Sequence, residues 1–244
     1  MSILKENSGL GGVINRVTMN DPTLSKLNLT GEHIGDSGAI ALAKALETNT
    51  SVIKVDLGYN SIGDSGAIAI AKLLKINNTV VNIYLRGNQI GDSGIVNIAN
   101  ILELNSTLTK FDLGYNNIGD AGAIAMSNTL KINKSIIKFD LGNNKIGDQG
   151  TIAIAKALEV NKTVTKFDLG HNTIGDSGAI AIAKLLEMNN KITHIDIQSN
   201  EIGGRGGEAI FQALIRNNTV AEIVLENNKM DNALKNKIYM NLSV

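Results

Sequence analysis

The stretch Ile62–Leu74 recurs letter for letter at Ile174–Leu186, and degenerate copies fill the gap and continue in both directions. The step is 28 residues throughout, with no insertion or deletion. A chain bound to such a period folds as a stack of like units, because no unit can bury its own apolar face alone. Full units begin at Leu27, Val55, Ile83, Phe111, Phe139, Phe167 and Ile195, and a shortened one at Ile223. The organisation read from this is an N-terminal cap over 1–26, seven repeats over 27–222, and a partial eighth repeat with a capping helix over 223–244.

Each unit changes its grammar midway. In the second, Val52, Val55 and Leu57 alternate with polar residues as in a short strand, a pattern that continues through Asn60 to Ile62. Gly63-Asp64-Ser65-Gly66 reads as a turn, with Asp64 placed to cap the helix it begins by accepting from amides two or three residues on. Ala67, Ile70, Ala71 and Leu74 then occupy one helical face. An asparagine closes each helix (Asn49, Asn77, Asn105, Asn133, Asn161, Asn189, Asn217), read as a left-handed terminator. A second row follows the strand (Asn60, Asn88, Asn116, Asn144, Asn172, Asn200, Asn228). Buried, these amides serve backbone groups of their own turn and of the next unit. Phe111, Phe139 and Phe167 share the register of Val55 and Ile83 and belong to the core.

The phrase Val52-x-x-Val55-x-Leu57-x-x-Asn60-x-Ile62, followed by a helix at period 28, resembles the ribonuclease-inhibitor-like subclass of leucine-rich repeats. The Asn-x-Ile-Gly-Asp-x-Gly-Ala wording is similar to repeats of NOD-like receptors. The resemblance implies an α/β solenoid, a horseshoe with a parallel sheet on the concave face and α-helices on the convex face. Alternating strands and helices demand parallel strands with crossovers in any case. At about 4.8 Å per strand, the sheet of such an array is wide enough for a protein partner.

Reading one position per unit turns the concave face into rows. Lys54, Lys110, Lys138 and Lys166 form one. Asp56, Asp112, Asp140, Asp168 and Asp196 form another, and the two rows are read as neutralising each other rather than as a cation ladder. The third unit breaks the pattern, with Asn82, Tyr84 and Arg86 in place of Lys, Asp and Gly. Tyr59 and Tyr115 flank it, one strand to each side. Tyrosine and arginine dominate binding hot spots, so Tyr59, Tyr84, Arg86 and Tyr115 form the centre of the candidate partner-binding set, with His171 and Gln198 further along the face. The irregular zone around His194, Glu222, Val224 and Glu226 reads as cap composition.

Other chemistries find little support. Lys+Arg and Asp+Glu are 23 each, which argues against a nucleic-acid or membrane-surface partner. Cysteine is absent, removing thiolate ligands and thiol nucleophiles. His33, His171 and His194 are too dispersed for a metal. The Gly-Asp-Ser-Gly turns lack the lysine of a phosphate loop. No enzyme, cofactor or metal is expected. Met1–Gly12 carries no secretion-type apolar run, and a cytoplasmic protein is expected. Ribonuclease-inhibitor-like repeats also form the GTPase-activating protein of Ran, so a small-GTPase regulator using Arg86 is the alternative. A recognition module of an immune-receptor-like protein or of a bacterial effector, delivered to a host cytosol, is another. A monomer is expected, with end-to-end association if the closing helix, carrying Leu234, Ile238 and Leu242, fails to cover the last strand.

Overall fold

The computed structural model describes residues 9–242, so the outermost parts of the two predicted caps, 1–8 and 243–244, lie outside it. Helix α1 (Leu10–Thr18) precedes eight short strands: β1 (Lys26–Asn28), β2 (Lys54–Asp56), β3 (Asn82–Tyr84), β4 (Lys110–Asp112), β5 (Lys138–Asp140), β6 (Lys166–Asp168), β7 (His194–Asp196) and β8 (Glu222–Val224). Each strand leads into a helix: α2 (Gly35–Leu46), α3 (Asp64–Ile76), α4 (Asp92–Leu102), α5 (Asp120–Ile132), α6 (Asp148–Val160), α7 (Asp176–Met188), α8 (Gly204–Arg216) and α9 (Asn232–Leu242). The strands form one parallel sheet in sequential order, in unbroken register from Lys26↔Lys54 to Asp196↔Val224, and the sheet is not closed.

The chain is thus the expected α/β leucine-rich-repeat solenoid. Its curvature follows from two spacings: neighbouring strands sit about 4.8 Å apart, whereas packed helices need about 8–10 Å. A stack with one of each per unit must bend with the sheet inside. The middle residue of every strand points into the core, where Phe111, Phe139 and Phe167 are buried and the last two stack at 5.8 Å.

The strands are shorter than the alternating pattern implies. Pairing continues past Asp56, since the Leu57 and Tyr59 amides donate to Tyr84 O and Arg86 O at 2.8 Å. Tyr59, however, is left-handed at φ 56°, and this bends the chain out of strand geometry before Ile62.

The turn aspartates do not cap their own helices. The helix N-caps at Gly63, Gly147 and Gly175 make no side-chain capping bond. Instead each aspartate reaches across to the following unit. Asp148 Oδ1 accepts from the amides of Gly175 and Gly178, both at 2.8 Å. Asp36, Asp92, Asp120 and Asp176 bond the two matching amides in the same way. One carboxylate therefore satisfies two orphan donors at the next helix start, where the helix dipole also favours it. This dictates glycine at 178, because a Cβ there would sit 2.6 Å from Ile174 Cγ2 and 2.9 Å from Asp148 Oδ1. Asp64 accepts from the Gly91 amide at 2.7 Å. At the C-terminal end Gly204 supplies no carboxylate, and α9 uses its own Asp231, which accepts from the Leu234 amide at 2.7 Å. Asp148→Ala is expected to cost about 1–3 kcal/mol, the loss of two charge-assisted bonds. Urea unfolding followed by circular dichroism measures it, and an unchanged midpoint would contradict the cross-unit cap.

Both asparagine rows are bonded, and all but Asn144, Asn217 and Asn228 are buried; the bonds have a direction the repeat pattern does not reveal. The helix-closing asparagines are extended rather than left-handed, as at Asn161 (φ −69°, ψ 134°). Asn161 Nδ2 donates back to Leu130 O and Asn133 O, while its Oδ1 accepts from the amides of Thr163 and Val164. In the strand row, Asn60 Nδ2 donates to Leu29 O and Gly58 O, and its Oδ1 accepts from the Ile34 amide. It serves its own turn and the preceding unit, not the next. Among the described residues, no buried side-chain polar atom lacks a partner.

At the last strand edge, the side chains of Tyr239 and Glu226 take the place of a further strand. Inside the array, the amide after each strand donates to the following strand, as Leu57 does to Tyr84. After β8 no strand follows, and the Leu225 amide donates to Tyr239 Oη at 3.0 Å. Tyr239 in turn donates to Glu226 Oε1 at 2.9 Å. Ile238 anchors α9 in the core, with Leu234 and Leu242 packed against it.

Candidate functional site

Residues on either side of each buried strand position face the inner surface, so one register line carries one row across the sheet. The structure brings together the four central candidates. Lys54 Nζ lies over the Tyr84 ring at 4.5 Å, and the Arg86 guanidinium over the Tyr115 ring at 4.5 Å. Arg86 reaches two strands along to Asp140, with Nη1 to Oδ2 at 3.1 Å. Tyr59 and Tyr115 remain 52% and 45% exposed, so the patch is held in place yet open. His171 and Gln198 do not join it. They lie three and four units from Arg86, about 14 and 19 Å by strand spacing. His171 is exposed, and Gln198 Nε2 is turned onto Asp196 Oδ2 at 3.2 Å.

Tyr59, Tyr115 and His171 share a left-handed position, with φ between 54° and 56°. Gly31 and Gly87 occupy it at φ 70°, where glycine carries no penalty. A side chain there costs about 1–2 kcal/mol, so large aromatic groups are kept against the local backbone preference. Gly87 also leaves room for its neighbour, since a Cβ on it would fall within 2.9 Å of the Tyr59 ring.

The aspartate row behaves differently from the expected neutral surface. Each carboxylate accepts from the amide two residues on, at 2.9 Å for Asp112, 2.8 Å for Asp140 and 2.7 Å for Asp168. Among the described residues, no ion pair joins the lysine row to the aspartate row, and Arg86 to Asp140 is the pairing the row receives. Lysine and aspartate share a face but stand two residues apart along the strand, about 6.6 Å, and extend side by side. Burial pushes the Asp140 carboxyl up to about 7, with the Asp168 and Asp112 charges pushing the same way and the Gly142 amide and Arg86 opposing them. Asp168 is raised to about 6, again chiefly by burial, against its bond from Gly170. Asp112 and Asp196 are raised for the same leading reason. Between the rows runs a groove of about 310 Å³ extending from Tyr84 to Val224.

On another flank, Ile76, Leu104, Ile132, Val160 and Met188 repeat at the helix ends and are all more than half exposed. This row keeps the 28-residue period and is visible in the sequence, but it lies off the inner face. No described helix is long and apolar enough to cross a membrane, and no described group of His, Asp and Glu could hold a metal.

A family model described as "TMOD/LMOD Leucine-rich domain" matches residues 7–153, more than half of the chain. One described as "Leucine Rich repeat" matches 160–183 and 189–211. The matches bear out the repeat class, and the 28-residue strand–helix unit is compatible with the ribonuclease-inhibitor-like subclass. Among solved structures, a Caenorhabditis elegans tropomodulin C-terminal domain is 17% identical, covering 62% of this chain and 92% of that one, with a TM-score of 0.54. A structure described as "Leiomodin-1 Actin-Binding Site 2 (ABS2)" is 18% identical over 100% of this chain and 89% of that one, with a TM-score of 0.42. At 17% identity the likeness to the tropomodulin domain speaks to fold alone. No curated protein matches the chain closely enough to be counted a relative.

Proposed function

From the chain's membership of the TMOD/LMOD leucine-rich-domain family, we propose that it is a non-catalytic scaffold that grips a protein partner on the inner face of its sheet. The grip centres on Tyr59, Tyr84, Arg86 and Tyr115. The observation that supports this reading is the way Arg86 is held between Asp140 and the Tyr115 ring while two tyrosines stay about half exposed at left-handed positions. Large rigid side chains already ordered before contact lose little entropy on binding, which is how hot spots gain their weight. His171 and Gln198 belong to the periphery of such a footprint.

Arg86 is engaged by Asp140 and Tyr115 in the free protein, so it serves a binding patch better than a finger reaching into a nucleotide site. The test is a pull-down with the full chain, actin included among the baits. Wild type is compared with Tyr84→Asp combined with Arg86→Gly, which restores the repeat pattern. The double variant is expected to fold normally and to lose partner capture by at least about tenfold. Undiminished capture would remove the patch from the function.

A further inference from the structure

The lysine and aspartate rows are each in strict register, Lys110↔Lys138↔Lys166 and Asp112↔Asp140↔Asp168. Like charges directly opposite each other on neighbouring strands repel. Among the described residues, nothing of opposite charge contacts the three lysines, and only Arg86 meets the three aspartates. Because neither row neutralises the other, the groove has one basic wall and one acidic wall. The strip between them is floored by strand backbone at Phe111, Phe139 and Phe167, whose rings lie in the core, and its apolar surface comes from the methylene stems of Lys110, Lys138 and Lys166. Proton uptake at Asp140 and Asp168 eases part of the repulsion in the acidic wall; the rest, and all of that among the lysines, is left for something outside the chain to relieve.

This rests on the inner face being the docking surface. We infer that the groove takes an amphipathic α-helix of a partner protein, laid across the strands, with an acidic flank against the lysines, a basic flank against the aspartates and an apolar seam between. The pitch favours a helix: one turn advances 5.4 Å, close to the spacing of about 4.8 Å between strands, so each turn meets one strand. An extended peptide repeats its side chains every 6.6–7 Å or so and falls out of step. The groove from β3 to β8 spans five strand intervals, about 24 Å, or about 16 residues of helix. The walls are closer together than a helix is wide, so the helix presents one face rather than sinking in. The two walls and the seam then act together, as in other helix-in-groove complexes. Charge segregation, rather than net charge, is what the groove reads.

The test uses fluorescein-labelled stapled helices of about 16 residues, all with the same leucine seam, titrated into the full chain by anisotropy. One carries an acidic and a basic flank. A second has the same composition with the charges intermixed, and a third and fourth are wholly acidic and wholly basic on both flanks. The segregated helix is expected to bind at least about tenfold tighter than each of the others. Lys138→Glu with Lys166→Glu, and separately Asp112→Asn with Asp168→Asn, should each remove most of that advantage. Asparagine keeps the oxygen that accepts from the following amide, so the second variant preserves the turn. Equal affinity for segregated and intermixed helices overturns the inference, as does preference for a singly charged helix. Failure here is separable from failure of the scaffold reading. Wall variants that capture the native partner normally, while the Tyr84/Arg86 variant does not, sink the helix and leave the patch.

Discussion

Asn172→Ala is expected to lower the stability of the whole array by about 3–5 kcal/mol, measured by urea denaturation. Its side chain donates to Leu141 O and Leu169 O at 3.0 Å and to Gly170 O at 3.2 Å, and accepts from the Ile146 amide at 2.9 Å. Alanine removes four bonds at once from a residue only 7% exposed. Each backbone group left without a partner costs about 1–3 kcal/mol, partly recovered where water enters the gap. The loss is shared between two units, since two of the four groups belong to the preceding repeat. The same change at Asn228, in the last and more open unit, should cost about half as much. A loss below about 1 kcal/mol at Asn172 would show that the ladder is incidental to stability.

Raising the pH from 5 to 8 is expected to destabilise the fold by about 2–4 kcal/mol. The sign follows from the inner-face aspartates. Asp140 is raised to about 7 and Asp168 to about 6 in the folded protein, from an ordinary value of 3.8. Between roughly pH 4 and pH 7 the folded chain therefore holds protons that the unfolded chain has released. Stability from these groups is complete below about pH 4 and is lost as the pH climbs through 6 and 7. For each group, every pH unit separating its unfolded from its folded value is worth about 1.4 kcal/mol, reduced here by the coupling of neighbours and by solvent at the groove mouth. Carboxylates held low do not cancel this, because Asp21, kept down to about 2, titrates well below the window. Asp168→Asn should flatten the profile and raise stability at pH 8, because it removes a buried charge while keeping the Gly170 bond. A profile that rises from pH 5 to 8 would overturn the assignment.

The strand and helix positions were legible because a period admits one stacking, and every middle strand residue from Leu27 to Ile223 fell in the core. The partners of the turn aspartates were not. In a repeating chain, the amide two residues on and its copy in the next unit sit in the same local sequence, so a pattern shared by both cannot tell them apart. Only the broken end distinguishes them: Gly204 gives up its carboxylate in the unit before Asp231 takes over capping. The asparagine rows are obscure for the same reason. On the inner face, the convergence of Tyr59, Tyr84, Arg86 and Tyr115 was readable from register alone. The silence between the lysine and aspartate rows was not, because alternation places two side chains on one face without saying whether their ends meet.

The cross-unit aspartate bond also sets a rule for editing this chain. Every interior junction offers a carboxylate on one side and two glycine amides on the other, so the junctions are interchangeable. A block of 28 residues can be excised or duplicated anywhere between the ends, and the new seam is chemically the same as the old. A cut that is not a multiple of 28 strands an acceptor without its donors. The pair Gly204 and Asp231 must travel together as the terminator, since α9 starts on its own aspartate.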